Sequence, residues 1–201
     1  MNNYPPDIAV IDDCIPHQFA DWLENWVLNP DHSLKHVVEW SYRENIAIPV
    51  VALDKPIPEN DASGFVYTAM NSVAPKGIRG SFNEPVVYLI TPLVYNVINK
   101  WNPDAHLAGI FRIRFILNIK NQSKGRTAPH RDLKCPHHTM IYYINDSDGP
   151  TIVFGDEMNV IAEVEPRKGR VLIFGGHRYH CGTMPEKSKH RMAININFEL
   201  A

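Results

Sequence analysis

The sequence has 201 residues, a formal net charge of −2 and 21% charged residues. It is long enough to bury a core without disulfides or a structural metal, and it carries no basic stripe of the kind that follows a nucleic-acid backbone, so nucleic acid is not an expected partner. The three cysteines, Cys14, Cys135 and Cys181, include no CxxC pair and fit a reducing, cytoplasmic setting; no leader pattern and no run of about 18 apolar residues predicts export or a membrane span.

Residues 7–11 (DIAVI) predict a short strand. Pro16 followed by Phe19, Trp22, Leu23, Trp26 and Val27 at helical spacing predicts a helix from His17 to Leu28. From Lys35 to about Leu53, residues rich in Val, Ile, Trp and Tyr predict a hairpin or two short strands, and 54–64 (DKPIPENDASG) is loop by composition. A helix is expected from Phe65 to Val73. Asn83-Glu84-Pro85 before VVYLITPLVYNVINKW predicts a longer, N-capped helix lying on a sheet, with Pro92 expected to kink it.

Beyond Pro103 the pattern shifts to apolar or alternating runs of strand length: AGIFRIRFILNI, HHTMIYYIN, PTIVFGD, NVIAEVEP, GRVLIFG and RMAININFEL. Turn chemistry at DSDGP and PRKG separates them. About eight strands with helical cover imply a mainly β (α+β) chain, a jelly roll or barrel-like sandwich. With no repeat and no linker, residues 1–201 are expected to form one domain, 1–103 as helical support with flanking strands and 104–201 as the β core.

The most specific local pattern is His130-Arg131-Asp132. In an extended segment residues i and i+2 point to one side and can grip one ion together. His180, beyond the GRVLIFGG strand, offers a third ligand. Two histidines and one carboxylate on one face leave open positions that suit Fe(II), a bidentate cosubstrate and O₂, where zinc prefers fewer. An HxD pair alone is more often a surface hydrogen bond. On the last run, 191, 193, 195 and 197 share a face, so Arg191 is either a clamp for the far carboxylate of a diacid or a surface residue beside Glu186 or Glu199. Thr139, Ile141 and Tyr143 face one way, Met140 and Tyr142 the other, and the Tyr143 hydroxyl could reach the same carboxylate.

HRD, TMIYYIND, GPTIVFGD, VEPRKGRVLIF, HCGTMP and RMAININF, spread over 111–199, resemble in order and spacing the Fe(II)/2-oxoglutarate-dependent dioxygenases, and within them the prolyl 4-hydroxylase-like branch. The resemblance implies a double-stranded β-helix supported by N-terminal helices, with His130, Asp132 and His180 as iron ligands. It also implies Arg191 and Tyr143 on the far carboxylate of 2-oxoglutarate, with Thr139 and Asn195 lining the cosubstrate pocket. Gly149-Pro150-Thr151 matches a GGxT-like turn with Pro150 at the second glycine. The implied activity is hydroxylation with O₂, 2-oxoglutarate giving succinate and CO₂, and a prolyl residue of a peptide or protein is one candidate substrate.

The interval from His180 to Arg191 is a residue or two longer than the family pattern, which a longer loop explains. His177 is a poorer third ligand than His180 because its spacing is worse. His137 and His138 are expected to meet solvent or line the substrate side, Cys181 to pack, and the tryptophans to serve as core and cover. Lys120, Lys124, Arg126, Arg131 and Lys134 read as a solvated loop. Two other readings stand beside the first: the same scaffold acting on a small metabolite, free amino acid or nucleobase, and a non-catalytic jelly roll that binds a metal or sugar.

Overall fold

The computed structural model describes residues 4–28, 38–46, 61–73, 81–120 and 125–201. Helix α1 (His17–Leu28) starts from the Pro16 carbonyl, which accepts the amides of Phe19 and Ala20, and it buries Ala20, Leu23 and Val27 along one face. Helix α2 (Glu84–Trp101) is capped by Asn83, whose side chain accepts the Val86 amide at 3.4 Å. It runs on through Pro92, which lies on the solvent side of the helix between the exposed Tyr88 and Tyr95. The carbonyl deprived of its partner there can be hydrated, so the ring does not end the helix.

Ten strands occur among the described residues. β1 (Ile8–Ile11), β2 (Ser41–Arg43), β3 (Gly64–Asn71), β4 (Leu107–Ile119), β5 (His138–Tyr143), β8 (Val171–Gly175) and β10 (His190–Leu200) form one antiparallel sheet, ordered β1-β8-β5-β10-β4-β3-β2. β6 (Thr151–Phe154), β7 (Val160–Val164) and β9 (Tyr179–Gly182) form a second, ordered β7-β6-β9. Part of the hairpin expected at 35–53, and the expected loop up to residue 60, lie outside the described residues.

The expected helix at Phe65–Val73 is instead β3, paired with β2 and β4. A register shift between Thr68 and Met70 inserts an extra residue, so the buried positions run Val66 then Ala69. That three-residue step imitates helical spacing, and a bulge in a strand leaves the same trace in sequence. β9 was not expected as a strand either. Its four residues, YHCG, carry no apolar run, and it is held by β6 and by the bridge to His130.

Two faces of the large sheet divide the molecule. Ile113 and Phe115 of β4, Met140 and Tyr142 of β5, Val171 and Ile173 of β8, and Met192, Ile194, Ile196 and Phe198 of β10 pack under α1 and α2. The alternate residues Ile141, Tyr143, Leu172, Phe174 and Ala193 pack against Val153, Ala162 and Val164 of the small sheet. Because both faces are covered, most of these strands read as nearly continuous apolar runs. The two facing sheets with helices behind the larger one form a double-stranded β-helix, the mainly β fold that the sequence predicts.

Candidate metal centre

His130 and His180 are cross-strand neighbours. The backbone amide of each donates to the carbonyl of the other, at 3.0 and 2.9 Å, so residues 50 positions apart are fixed side by side, with ring centroids 4.5 Å apart. The Nδ1 of His130 lies 2.9 Å from the Ala128 carbonyl. Donation from Nδ1 leaves Nε2 with its lone pair, the tautomer a metal needs. Burial lowers the pKa of His130, and it lowers that of His180 to about 3 with the help of neighbouring His130. Both rings are therefore neutral near pH 7.

Asp132 stands in the bend that follows, 3% exposed. Burial alone would raise its pKa, but Arg112 and the two histidines hold it well below the usual carboxylate range. Its Oδ2 accepts from Thr139 Oγ1 (3.3 Å), Asn195 Nδ2 (3.0 Å) and Asn197 Nδ2 (2.9 Å). Its Oδ1 accepts from Arg112 Nη2 at 2.5 Å and so keeps a lone pair for an ion. Nε2 of His130 is 3.8 Å from Oδ1, and Nε2 of His180 is 3.7 Å from Oδ2. One ligand atom from each of His130, Asp132 and His180 lies within 4.8 Å of the others. With bonds of about 2.0–2.2 Å, two ligands of one ion stand roughly 3–4.4 Å apart; the 3.8 and 3.7 Å separations of the two imidazoles from the carboxylate lie in that range, so the residues fit a metal that takes two neutral imidazoles and one carboxylate.

The same cavity is lined by Arg191. This arginine, 3% exposed, donates from Nε to the Gly149 carbonyl (2.7 Å), from Nη2 to Thr151 Oγ1 (2.7 Å) and from Nη1 to Asn118 Oδ1 (3.3 Å). Burial lowers its pKa. All three acceptors are neutral, so a buried cation sits in the cavity without a counter-charge among the described residues, and the surface position beside Glu186 or Glu199 does not occur. A Cβ on Gly149 would stand 2.6 Å from the Thr183 carbonyl and 3.2 Å from Cδ of Arg191, so the tight turn at 149–151 depends on glycine there. The longer interval between His180 and Arg191 is a loop tied down by Asp148, which accepts the amides of Glu186, Lys187 and Ser188 at 2.7–3.1 Å.

Of the other expected site residues, Asn195 lines the cavity and bonds Asp132. Thr139 is placed against Asp132 and Asn197. Tyr143 lies behind Thr151: its hydroxyl donates to Thr151 Oγ1 at 2.8 Å, and its ring centre is 5.5 Å from the Arg191 guanidinium carbon. His177 is exposed beside Asp7, away from the triad. The expectation that His137 and His138 meet solvent or the substrate is corrected. His137 is buried, and His138 lies between the rings of Trp101 and Phe198, because its strand direction turns it under α2. Cys181 is fully buried, as expected of a packing residue.

Sequence reasoning missed Arg112, Asn118 and Asn197. The signal was present in RIRFILN and RMAININ, where polar residues recur at every second position within apolar strands. Such alternation places a polar row on one covered face, which is unexpected unless something there uses it.

A double-stranded β-helix that presents two histidines and a carboxylate on one face, with a buried arginine in the same cavity, is a scaffold for a mononuclear metal with open coordination positions. Many solved structures share that fold, three of them as follows. One is a 2OG-Fe(II) oxygenase family oxidoreductase from Burkholderia pseudomallei (TM-score 0.66, 10% identity, 96% of this chain and 85% of that one). Another is a prolyl hydroxylase from Trichoplax adhaerens in complex with a hypoxia-inducible-factor peptide fragment (0.58, 16%, 96% and 83%). The third is the non-heme α-ketoglutarate-dependent epimerase SnoN from nogalamycin biosynthesis (0.60, 10%, 96% and 77%). No protein-family model matches the sequence, and no curated protein matches it.

Proposed function

We propose that this protein is an Fe(II)- and 2-oxoglutarate-dependent oxygenase that hydroxylates its substrate, with His130, Asp132 and His180 holding the iron. The observation that carries this reading is the cavity that joins the triad to Arg191, a buried guanidinium whose partners are all neutral. A buried charge of that kind calls for an anionic partner, and a diacid bound to the metal at one end supplies a carboxylate at the other.

Bound together, iron, 2-oxoglutarate and O₂ provide the oxidising power, yielding succinate, CO₂ and a hydroxylated product. The chain's own residues orient and exclude. Arg191 pairs with the far carboxylate through a planar guanidinium, and Tyr143 holds Thr151 so that its hydroxyl group meets Arg191. Arg112, Thr139, Asn195 and Asn197 fix the Asp132 carboxylate in one orientation. Ala128 sets the tautomer of His130. Ile116, Ile141 and Ala193 form the apolar part of the cavity wall.

Fold does not fix substrate. A peptidyl proline is one candidate, consistent with the peptide-bound neighbour, and a small metabolite or free amino acid is the other, consistent with the epimerase. Residues 1–201 act as one catalytic unit in this reading. Three free cysteines favour a reducing compartment such as the cytoplasm, and no described helix is long and apolar enough to cross a membrane.

Anaerobic titration of the apo-protein with Fe(II), then 2-oxoglutarate, tests the proposal. A visible charge-transfer band that appears with the wild type and is lost in His180→Ala is the expected result. Absence of the band, with no succinate formed from 2-oxoglutarate in air, would leave a metal- or sugar-binding jelly roll as the better reading.

A further inference from the structure

The polar row on the inner face continues past the metal. Arg112 and Arg114 of β4 stand two apart and face the same side. They are in register with Asn197 and Asn195 of β10 on one flank, and with Asn71 and Thr68 of β3 on the other. Together with Arg43 at the end of β2 and Asn45 just beyond it, these β3 and β4 residues line a cleft of about 190 Å³. The cleft adjoins the triad, because Arg114 lines both cavities and Arg112 reaches from this wall to Asp132.

The charged side chains that line the cleft among the described residues are all cationic. Arg112 is 3% exposed, yet its Nε has no partner, while its Nη2 is occupied by Asp132. Arg114 donates from Nη2 to the Ile46 carbonyl at 3.2 Å. No described carboxylate lines the cleft itself. Asp132 and Asp61 act on Arg114 from nearby, but Arg112 and Arg43 push against it. Three guanidinium groups next to a divalent ion leave the local charge positive, and burying an unsatisfied guanidinium donor is costly unless a ligand completes it.

Building on the oxygenase reading, we infer that this cleft binds an anionic group of the substrate, a carboxylate or a phosphate, and so decides which of its C–H bonds faces the metal. Arg43 and Arg114 flank the group, the unpartnered Nε of Arg112 donates from below, and Thr68, Asn45 and Asn71 supply neutral hydrogen bonds at the edge. Guanidinium groups suit both anions because their fork matches paired oxygens.

The probes are acetyl-glutamate amide, its neutral isostere acetyl-glutamine amide, and acetyl-phosphoserine amide. Binding is followed by saturation-transfer NMR on protein loaded with Zn(II) and 2-oxoglutarate, so that the Arg191 end is already filled. The expected result is affinity at least ten-fold higher for a charged probe than for the neutral one. It should be weakened at least five-fold in Arg43→Gln; the tighter of the two charged probes identifies the anion. Arg43 is exposed and touches neither the triad nor Arg191, so this variant keeps its fold, which circular dichroism checks. Equal binding of charged and neutral probes overturns the inference, as does an unchanged affinity for the charged probes in Arg43→Gln. If 2-oxoglutarate does not load, the oxygenase reading fails by itself, and the same titration on metal-free protein decides the cleft.

Discussion

The two ends of the central cavity treat buried charge in opposite ways. At the metal end, Asp132 is met by four donors, one of them the cation Arg112. At the other end, Arg191 is met by a backbone carbonyl, a hydroxyl and an amide oxygen, all neutral. The first arrangement is complete within the chain and holds one carboxylate orientation whether or not an ion is present. In the proposed function, the second is completed by a ligand. A charge the fold has already neutralised serves position, and a charge left open serves recognition.

The sharpest way to break this contrast is to remove each charge in turn. Asp132→Ala is expected to abolish iron-dependent turnover and also to destabilise the metal-free protein by about 3–5 kcal/mol, because Arg112 is left buried without its partner. Urea denaturation of the apo-protein measures the second effect. Arg191→Met is expected to weaken 2-oxoglutarate binding by roughly 100-fold, as the loss of a buried charge pair in the complex would, while metal affinity is retained. Its apo-protein should lose clearly less stability than Asp132→Ala. Equal destabilisation in both variants would show that Arg191 has a counter-charge after all.

Arg112→Met sharpens the metal end. It removes the strongest donor on Asp132 without removing a ligand, so Fe(II) affinity should fall about 10–100-fold, the usual range for a group that orients a ligand. Competition with a chromophoric chelator reads this directly. An unchanged affinity would mean that Thr139, Asn195 and Asn197 suffice to position the carboxylate.

The smallest expected effect concerns the loop that leads to Arg191. Hydrogen bonds from the amides of Ser188 and Lys187 hold the pKa of Asp148 below the ordinary carboxylate range. With the folded pKa lowered, the stabilisation is fully present above the unfolded value of about 3.9 and disappears as pH falls through the folded value. Wild-type stability should therefore fall between pH 5 and pH 2 more steeply than that of Asp148→Ala, which should itself cost about 1–2 kcal/mol at pH 7. Parallel pH profiles for the two proteins would exclude a role for Asp148 in fastening the loop.

Much of the fold was legible because its signals are local. The Asn83 cap and the apolar spacing of α1 and α2 marked both helices, and the covered strands of the large sheet appear as apolar runs ended by turn residues. β3 was not legible, since a bulge at Ala69 changes the period of its buried residues from two to three. His138 was not legible either, because a half-polar ring between Trp101 and Phe198 depends on a helix 37 residues upstream in sequence.

For the site, the sequence by itself determined that His130 and Asp132 can reach one side, since a two-residue step in extended chain does so, and that Arg191 shares a face with Asn195 and Asn197, while leaving open whether that face is inward. Only the tertiary structure decided that His180 completes the triad, that Arg112 and two asparagines hold the carboxylate, and that the guanidinium of Arg191 has no counter-charge among the described residues. Each of those facts rests on which strands lie side by side. His130 meets His180 across one bridge, and Arg112 meets Asn197 across β4 and β10. Strand pairing is set by the cooperative packing of two sheets and two helices, and no residue's immediate neighbours in sequence encode it.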